Sequence, residues 1–249
     1  MTDVRSRAAL AITVLAALVA AASGCGGADV PAVTTARHTT PRPLDGCRSA
    51  GGGWQALPTS GYYSPPAAHL GRGRVGVVFA NDSNNDSCAW SGEARSLAAH
   101  GHAVAVFETV GNASYEAQQV LAVTRALRRT GVQRIALIGA SVGARAVLQA
   151  GARHPGGVVG IVALSAERRI MSNQGDLLPI GRRVRVPVLS VGSRGDPLTS
   201  FGKDTRAWHR TIPDGRALIL SGSDHGVDLL TDRHGPRVRS AIRAFLRSL

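Results

Sequence analysis

Residues 135–148 read IALIGASVGARAVL, a sequence that specifies a strand, a sharp turn and a helix in direct succession. The run 135–138 has the apolar composition of a buried strand, and 144–148 continues with good helix formers. Between them, Gly139-Ala140-Ser141-Val142-Gly143 matches G-x-S-x-G. This setting is the one that a nucleophile elbow requires, with small residues on both sides of a strained serine. The pattern therefore predicts Ser141 as a nucleophile.

A serine hydroxyl is a poor nucleophile until a base accepts its proton, so the chain must also supply a histidine. Among eight histidines, His225 stands out because it follows the predicted last strand, 217–220, in the loop Ser-Gly-Ser-Asp-His-Gly. Asp196 follows the preceding strand in Gly-Ser-Arg-Gly-Asp-Pro and could orient the imidazole. Glu167, after an earlier strand, is the competing acid, whereas Asp224 is too close to His225 in sequence to orient it.

From about residue 73 onward, strands and helices alternate, which indicates a parallel sheet covered by helices on both faces. The apolar runs that predict the strands are 75–80, 103–107, 134–139, 158–164, 186–191 and 217–220. Amphipathic segments between them predict the helices, and the last helix begins near Pro236.

Serine, then aspartate, then histidine, each just beyond its own strand, is an order that resembles the α/β-hydrolase superfamily over residues 67–249. The resemblance implies Ser141 as the nucleophile, His225 as general base and acid, and Asp196 as the orienting carboxylate. It also implies an acyl-enzyme intermediate on esters, thioesters or amides, with the Val142 N–H in the oxyanion hole and with neither a metal nor an organic cofactor.

Two segments depart from the common pattern of that superfamily. Where many relatives carry His-Gly, this chain has Asn81-Asp82, so the second oxyanion donor is expected to be the backbone N–H of Ser83. The connection between the strands 158–164 and 186–191 is short, which predicts a minimal cap or none and an open, shallow site. Its arginines (168, 169, 182, 183 and 185) favour an anionic substrate if they face the site, and otherwise they are solvated loop charges.

The N-terminus predicts export. Residues 1–24 form a signal peptide, with basic Arg5 and Arg7 before an apolar run at 8–22 that is too short to span a bilayer comfortably. The sequence Ala-Ser-Gly-Cys at 22–25 resembles a bacterial lipobox and predicts a lipid anchor on Cys25, an ordinary secretory signal being the alternative. Residues 25–66 are rich in Thr, Pro and Gly and are interpreted as a tether and N-terminal extension before the catalytic domain.

Export places the other two cysteines in an oxidising compartment, where a disulfide between Cys47 and Cys88 is expected. It would close a loop of about forty residues and contribute about 4 kcal/mol in the chain-entropy model. Two independent buried thiols are the alternative.

The charge balance defines the expected partners. Lys+Arg 29 against Asp+Glu 16 gives +13, and Lys203 is the single lysine, a skew that indicates codon bias more than a phosphate-binding surface. We therefore expect no nucleic-acid partner. The cysteines lack zinc-site spacing, and the calcium-loop-like segment 82–93 has Ser87 where the turn demands glycine, so no metal is expected.

Three functions remain open from the sequence. The first is a monomeric exported serine hydrolase acting on a small-molecule or envelope ester, with an envelope acyltransferase as its variant. The second is a catalytically inactive hydrolase-fold protein that binds an envelope ligand, which the Asn81-Asp82 segment motivates. The third is a protein that binds an anionic envelope polymer or phospholipid through its positive charge.

Overall fold

The computed structural model describes residues 44–47, 51–83, 87–110, 115–169, 175–231 and 233–249. Eight strands form one sheet: β1 (Gln55–Ala56), β2 (Ala67–Leu70), β3 (Val75–Ala80), β4 (Ala103–Phe107), β5 (Arg134–Ala140), β6 (Val158–Leu164), β7 (Val188–Ser193) and β8 (Gly215–Leu220). Their order is β1-β2-β4-β3-β5-β6-β7-β8. The pairs β1–β2 and β2–β4 are antiparallel, and every later pair is parallel. The carboxyl ends of β3 to β8 therefore meet at one edge of the sheet.

The described residues include six α-helices, of which the first five lie between strands and the last follows β8: α1 (Ser91–Ala99), α2 (Glu116–Arg129), α3 (Val142–Gly151), α4 (Leu178–Gly181), α5 (Lys203–Thr211) and α6 (Gly235–Ser248). Two buried hydrophobic clusters show that they cover both faces of the sheet. Val78 of β3 belongs to the buried cluster that includes residues of α2, α3 and α5, whereas its neighbours Val77 and Phe79 belong to the cluster that includes residues of α1 and α6. The expectation of a mostly parallel sheet between two helical layers is confirmed.

The sequence pattern gives the bounds of β3, β4 and β6 correctly, but it misplaces the ends of the last two strands. β7 begins at Val188 instead of residue 186, because Pro187 has no N–H to donate to a neighbouring strand. β8 begins at Gly215 instead of residue 217, since this edge strand starts with exposed residues that carry no apolar signal.

The N-terminal extension contributes to the folded domain. β1 lies within it, and Leu57 is only 3% exposed. Cys47 and Cys88 form a disulfide with their Cα atoms 5.4 Å apart, which joins the extension to a 3-10 turn at Ser87–Trp90 before α1.

The signal peptide and Cys25 lie outside the described residues, so export and lipid attachment stay predictions. Within the described ranges, no helix is both long enough and apolar enough to cross a membrane.

Candidate active site

Ser141 lies in the sharp turn between β5 and α3, at the carboxyl edge of the sheet. Its backbone has φ 51° and ψ −114°, a strained conformation for a residue other than glycine. The turn is held because the Ser141 N–H donates to the Leu164 carbonyl on β6 at 2.9 Å. A Cβ added to Gly143 would lie 2.6 Å from the carbonyl carbon of Ala80, and one added to Gly139 would lie 2.8 Å from the nitrogen of Ala144. Glycine is thus required on both sides of the serine.

Asp196 and His225 are brought together as the sequence predicts. The loops after β7 and β8 place His225 Nδ1 2.8 Å from Asp196 Oδ2. The Asp196 carboxylate is fully buried and also accepts hydrogen bonds from the Thr199 hydroxyl and the Leu198 N–H, each at 3.0 Å. These three donors fix the carboxylate, which in turn fixes the plane of the imidazole.

The electrostatics of this pair suit a general base. Burial alone would lower the pKa of His225, but the hydrogen bond that its Nδ1–H donates to Asp196 and the charges of Asp196, Glu167 and Asp82 outweigh burial and raise the pKa above its ordinary value. Burial raises the pKa of Asp196, yet its contacts with His225, Thr199 and Leu198 bring it below the ordinary value. Asp196 is therefore an ionised partner for the imidazole.

The hydroxyl of Ser141 is directed at Glu167. It donates to Glu167 Oε1 at 3.1 Å, and the same oxygen lies 3.9 Å from His225 Nε2. His225 Nε2 is buried and has no hydrogen-bond partner among the described residues. The three predicted side chains thus share one site, but the serine and the histidine are not hydrogen-bonded in this conformation, in which the hydroxyl donates to the Glu167 carboxylate instead.

Glu167 is fixed in this place by its neighbours along the chain. The Ala166 carbonyl accepts from the indole N–H of buried Trp208 at 2.9 Å, and the Arg168 N–H donates to Asp204 at 3.1 Å. Both partners are on α5, so this helix holds the backbone on each side of Glu167. Glu167, considered from the sequence as a rival acid for His225, therefore occupies a different position beside the nucleophile.

Two buried ionisable residues that were not among the predicted site residues, Arg145 and Glu116, lie beside this arrangement. Arg145, one helical turn after Ser141, is 3% exposed and contacts Glu167 Oε2 at 3.3 Å. Burial lowers the pKa of Arg145, although Glu167 and Glu116 act in the opposite direction. Burial raises the pKa of Glu116 to about 8 despite the charge of Arg145. For Arg145 the available signal was its position as a charged residue within the apolar run that follows Ser141.

The oxyanion hole stays a prediction, and the structure describes the segments that carry its two expected donors. Val142 is the first residue of α3, where backbone N–H groups lack partners within the helix. The loop after β3 starts at buried Asn81, whose side-chain amide donates to the Phe107 carbonyl at 2.8 Å. Ser83 follows two residues later and precedes 84–86, which are not described. Val142 and Ser83 remain the predicted donors.

No cluster of three or more His, Cys, Asp or Glu side chains suited to a metal ion occurs in the described part of the chain.

Comparison with solved structures identifies the fold. The chain superimposes with a TM-score of 0.62 on proline iminopeptidase from Mycobacterium smegmatis, at 12% identity over 78% of this chain and 98% of that one. The same TM-score relates it to a thermophilic esterase from Thermogutta terrifontis, at 14% identity over 79% and 99% of the two chains. A metagenome-derived lipolytic enzyme also gives 0.62, at 16% identity over 78% and 100%. No protein-family model and no curated protein sequence matches the chain. The protein has the α/β-hydrolase fold.

Proposed function

We propose that this protein is a serine hydrolase that cleaves carboxylic esters or thioesters through an acyl-enzyme on Ser141. The observation that carries the proposal is the strained serine beside a histidine whose Nδ1 lies 2.8 Å from a buried aspartate. In the first step the Ser141 hydroxyl leaves Glu167 and turns to His225 Nε2. Its oxygen attacks the carbonyl carbon as its proton passes to that nitrogen.

The remaining steps use the same groups. The backbone N–H groups of Val142 and Ser83 stabilise the tetrahedral oxyanion, and one such donor contributes about 3–4 kcal/mol. The imidazolium of His225 then gives its proton to the departing alcohol or thiol. A water molecule, deprotonated by the same nitrogen, attacks the acyl carbon. The bond to Ser141 then breaks as His225 returns that proton to the serine oxygen, and the acid is released.

Apolar surface beside the site supports an acyl substrate. Leu198 and Phe201 lie on the loop that carries Asp196, and each is 59% exposed. Large apolar side chains at this exposure are available to contact an acyl chain or an apolar alcohol. In the described part of the connection between β6 and β7 there is one short helix, α4, so the site has at most a small cover.

The test is labelling with a fluorophosphonate probe, which reacts with activated serines. Wild-type protein should be labelled and should hydrolyse p-nitrophenyl esters, whereas Ser141→Ala should do neither. Ser96→Ala, which removes a serine hydroxyl from α1, is the matched control and should behave as wild type. Labelling that persists in Ser141→Ala would refute the assignment of the nucleophile.

A hydrolase-fold protein that binds a ligand without catalysis is the second candidate, because the Ser141 hydroxyl is bonded to Glu167 instead of His225. It predicts a folded protein that is neither labelled nor active toward esters. An acyltransferase remains an extension of the first proposal, distinguished by transfer of the acyl group to an added alcohol in preference to water.

We further propose that the protein is exported and anchored by a lipid on Cys25. The disulfide between Cys47 and Cys88 supports an oxidising compartment. Cys25→Ser should move the protein from the membrane fraction to the soluble one, whereas Cys47→Ser should leave it in the membrane fraction.

A further inference from the structure

The active site presents a carboxylate to the substrate and hides the neighbouring guanidinium. The side chain of Glu167 is 17% exposed, whereas that of Arg145 is 3% exposed. Arg145 reaches Glu167 Oε2, so Oε1 is the oxygen that faces the nucleophile and the imidazole. An anionic substrate group therefore finds no accessible partner in Arg145, and Arg168 on the adjacent loop is already paired with Asp176.

Catalysis leaves this oxygen without its donor. In the resting conformation the Ser141 hydroxyl donates to Glu167 Oε1. Once the hydroxyl turns to His225, the carboxylate oxygen loses that hydrogen bond in a half-buried place. A carboxylate left unsatisfied there costs free energy, and a donor on the substrate would restore the bond.

The oxyanion that forms during the reaction also favours a positively charged group beside Glu167 Oε1. A carboxylate this close to the reacting carbon opposes the negative charge that forms on the carbonyl oxygen. Arg145 offsets part of that repulsion through Oε2. A positive charge on the substrate, paired with Oε1, would offset the rest, whereas a negative charge would increase it.

We propose, on the basis of the hydrolase function above, that Glu167 determines specificity and makes the site select esters with a cationic group close to the scissile carbonyl over anionic ones. The net charge of the whole chain, +13, would by itself favour the opposite choice. The preference is therefore a property of the site and depends on one side chain.

The first experiment compares p-nitrophenyl esters of equal, short acyl length that end in an ammonium, a methyl or a carboxylate group. The quantity is the ratio of kcat/KM for the ammonium ester to that for the carboxylate ester, at low ionic strength. Glu167→Gln should lower this ratio by about 20- to 300-fold, because both the attraction of the ammonium group and the repulsion of the carboxylate group are lost, for unit charges about 5 Å apart at an effective dielectric constant of about 40–80. Asp214→Asn removes an exposed carboxylate at the opposite edge of the sheet and should leave the ratio unchanged.

A second series of esters tests whether Glu167 acts on a charge in the alcohol part of the substrate. Acetate esters of a quaternary-ammonium alcohol and of its uncharged carbon isostere place the charge on the alcohol side of the ester. The series in which Glu167→Gln changes the ratio shows which side of the substrate faces Oε1. If neither series shows a change, the specificity inference is overturned, even though the hydrolase function stands.

Further results distinguish failure of the specificity inference from failure of the proposed hydrolase function. Wild-type protein that neither hydrolyses the esters nor is labelled at Ser141 overturns the proposed function and this inference with it. Glu167→Asp keeps the charge and should keep the order of preference. If folded Glu167→Gln protein is not labelled by the fluorophosphonate, Glu167 is needed to activate the nucleophile. That result would overturn the proposal that Glu167 determines specificity alone.

Discussion

Replacement of Gly143 by alanine tests the close approach on which the geometry of the nucleophile depends. The added Cβ would lie 2.6 Å from the carbonyl carbon of Ala80 and still closer to the carbonyl oxygens of Ala80 and Asn81. These atoms are backbone at the end of β3, a central strand paired with both β4 and β5, so no rotamer change can relieve the overlap. Overpacking costs about 1–3 kcal/mol, and we expect the upper end of that range here.

For a domain of this size, 3 kcal/mol should lower Tm by about 6–12 °C, as calorimetry would show. A displacement of about 1 Å at the elbow should also lower kcat/KM by about 100-fold. Gly92→Ala is the matched control, because Gly92 lies in α1 and a Cβ there meets nothing within 4 Å. That variant should match or exceed wild-type stability, since alanine is the better helix former. Equal Tm and turnover for the two variants would refute the argument.

Three other predictions follow from the charges and the disulfide. Wild-type kcat/KM should rise with pH through a pKa above the ordinary value for histidine, since His225 must lose its proton. Asp196→Asn should move this rise to lower pH, because the hydrogen bond and charge of Asp196 no longer raise the pKa of His225, and it should lower the plateau by orders of magnitude. Reduction of Cys47–Cys88 should cost about 4 kcal/mol in thermal unfolding, and the double alanine variant should not respond to reductant. The folded-state pKa of Glu116 is raised from 4.5 to about 8, so its contribution to the free energy of unfolding is complete below pH 4.5 and is lost as pH rises to 8. Denaturation curves at pH 5 and pH 8 should show this loss, up to about 4 kcal/mol, in the wild type, and Glu116→Gln should abolish it.

The central strands and the loops that carry Ser141, Asp196 and His225 could be predicted because their signals are local. A buried parallel strand is a short apolar run, and the residue just beyond it lies at the carboxyl edge of the sheet. That rule places these side chains at one edge without knowledge of any contact. By the same reasoning, β1 and β2 escaped prediction, since these short strands have neither the length nor the alternation that periodicity detects.

The partner of the serine hydroxyl could not be predicted, because it depends on contacts between distant parts of the chain. Glu167 reaches Ser141 only because α5, some forty residues later, fixes the backbone on both sides of it through Trp208 and Asp204. No pattern near Glu167 encodes those hydrogen bonds. A sequence can thus nominate Glu167 as a nearby acid, but which atom its carboxylate meets is decided by tertiary packing.

The two carboxylates beside Arg145 have different roles, although the sequence gives no reason to separate them. A buried guanidinium needs a compensating charge, and both Glu116 and Glu167 lie close enough to act on its pKa. Burial keeps Glu116 largely protonated at neutral pH, since its pKa is raised to about 8. Glu167 then supplies the negative charge, which agrees with its ion pair to Arg145 and with its position at the solvent side of the pair. At pH 7, loss of the Glu116 carboxyl should therefore leave the charge preference of the site intact, whereas loss of the Glu167 carboxyl should remove it.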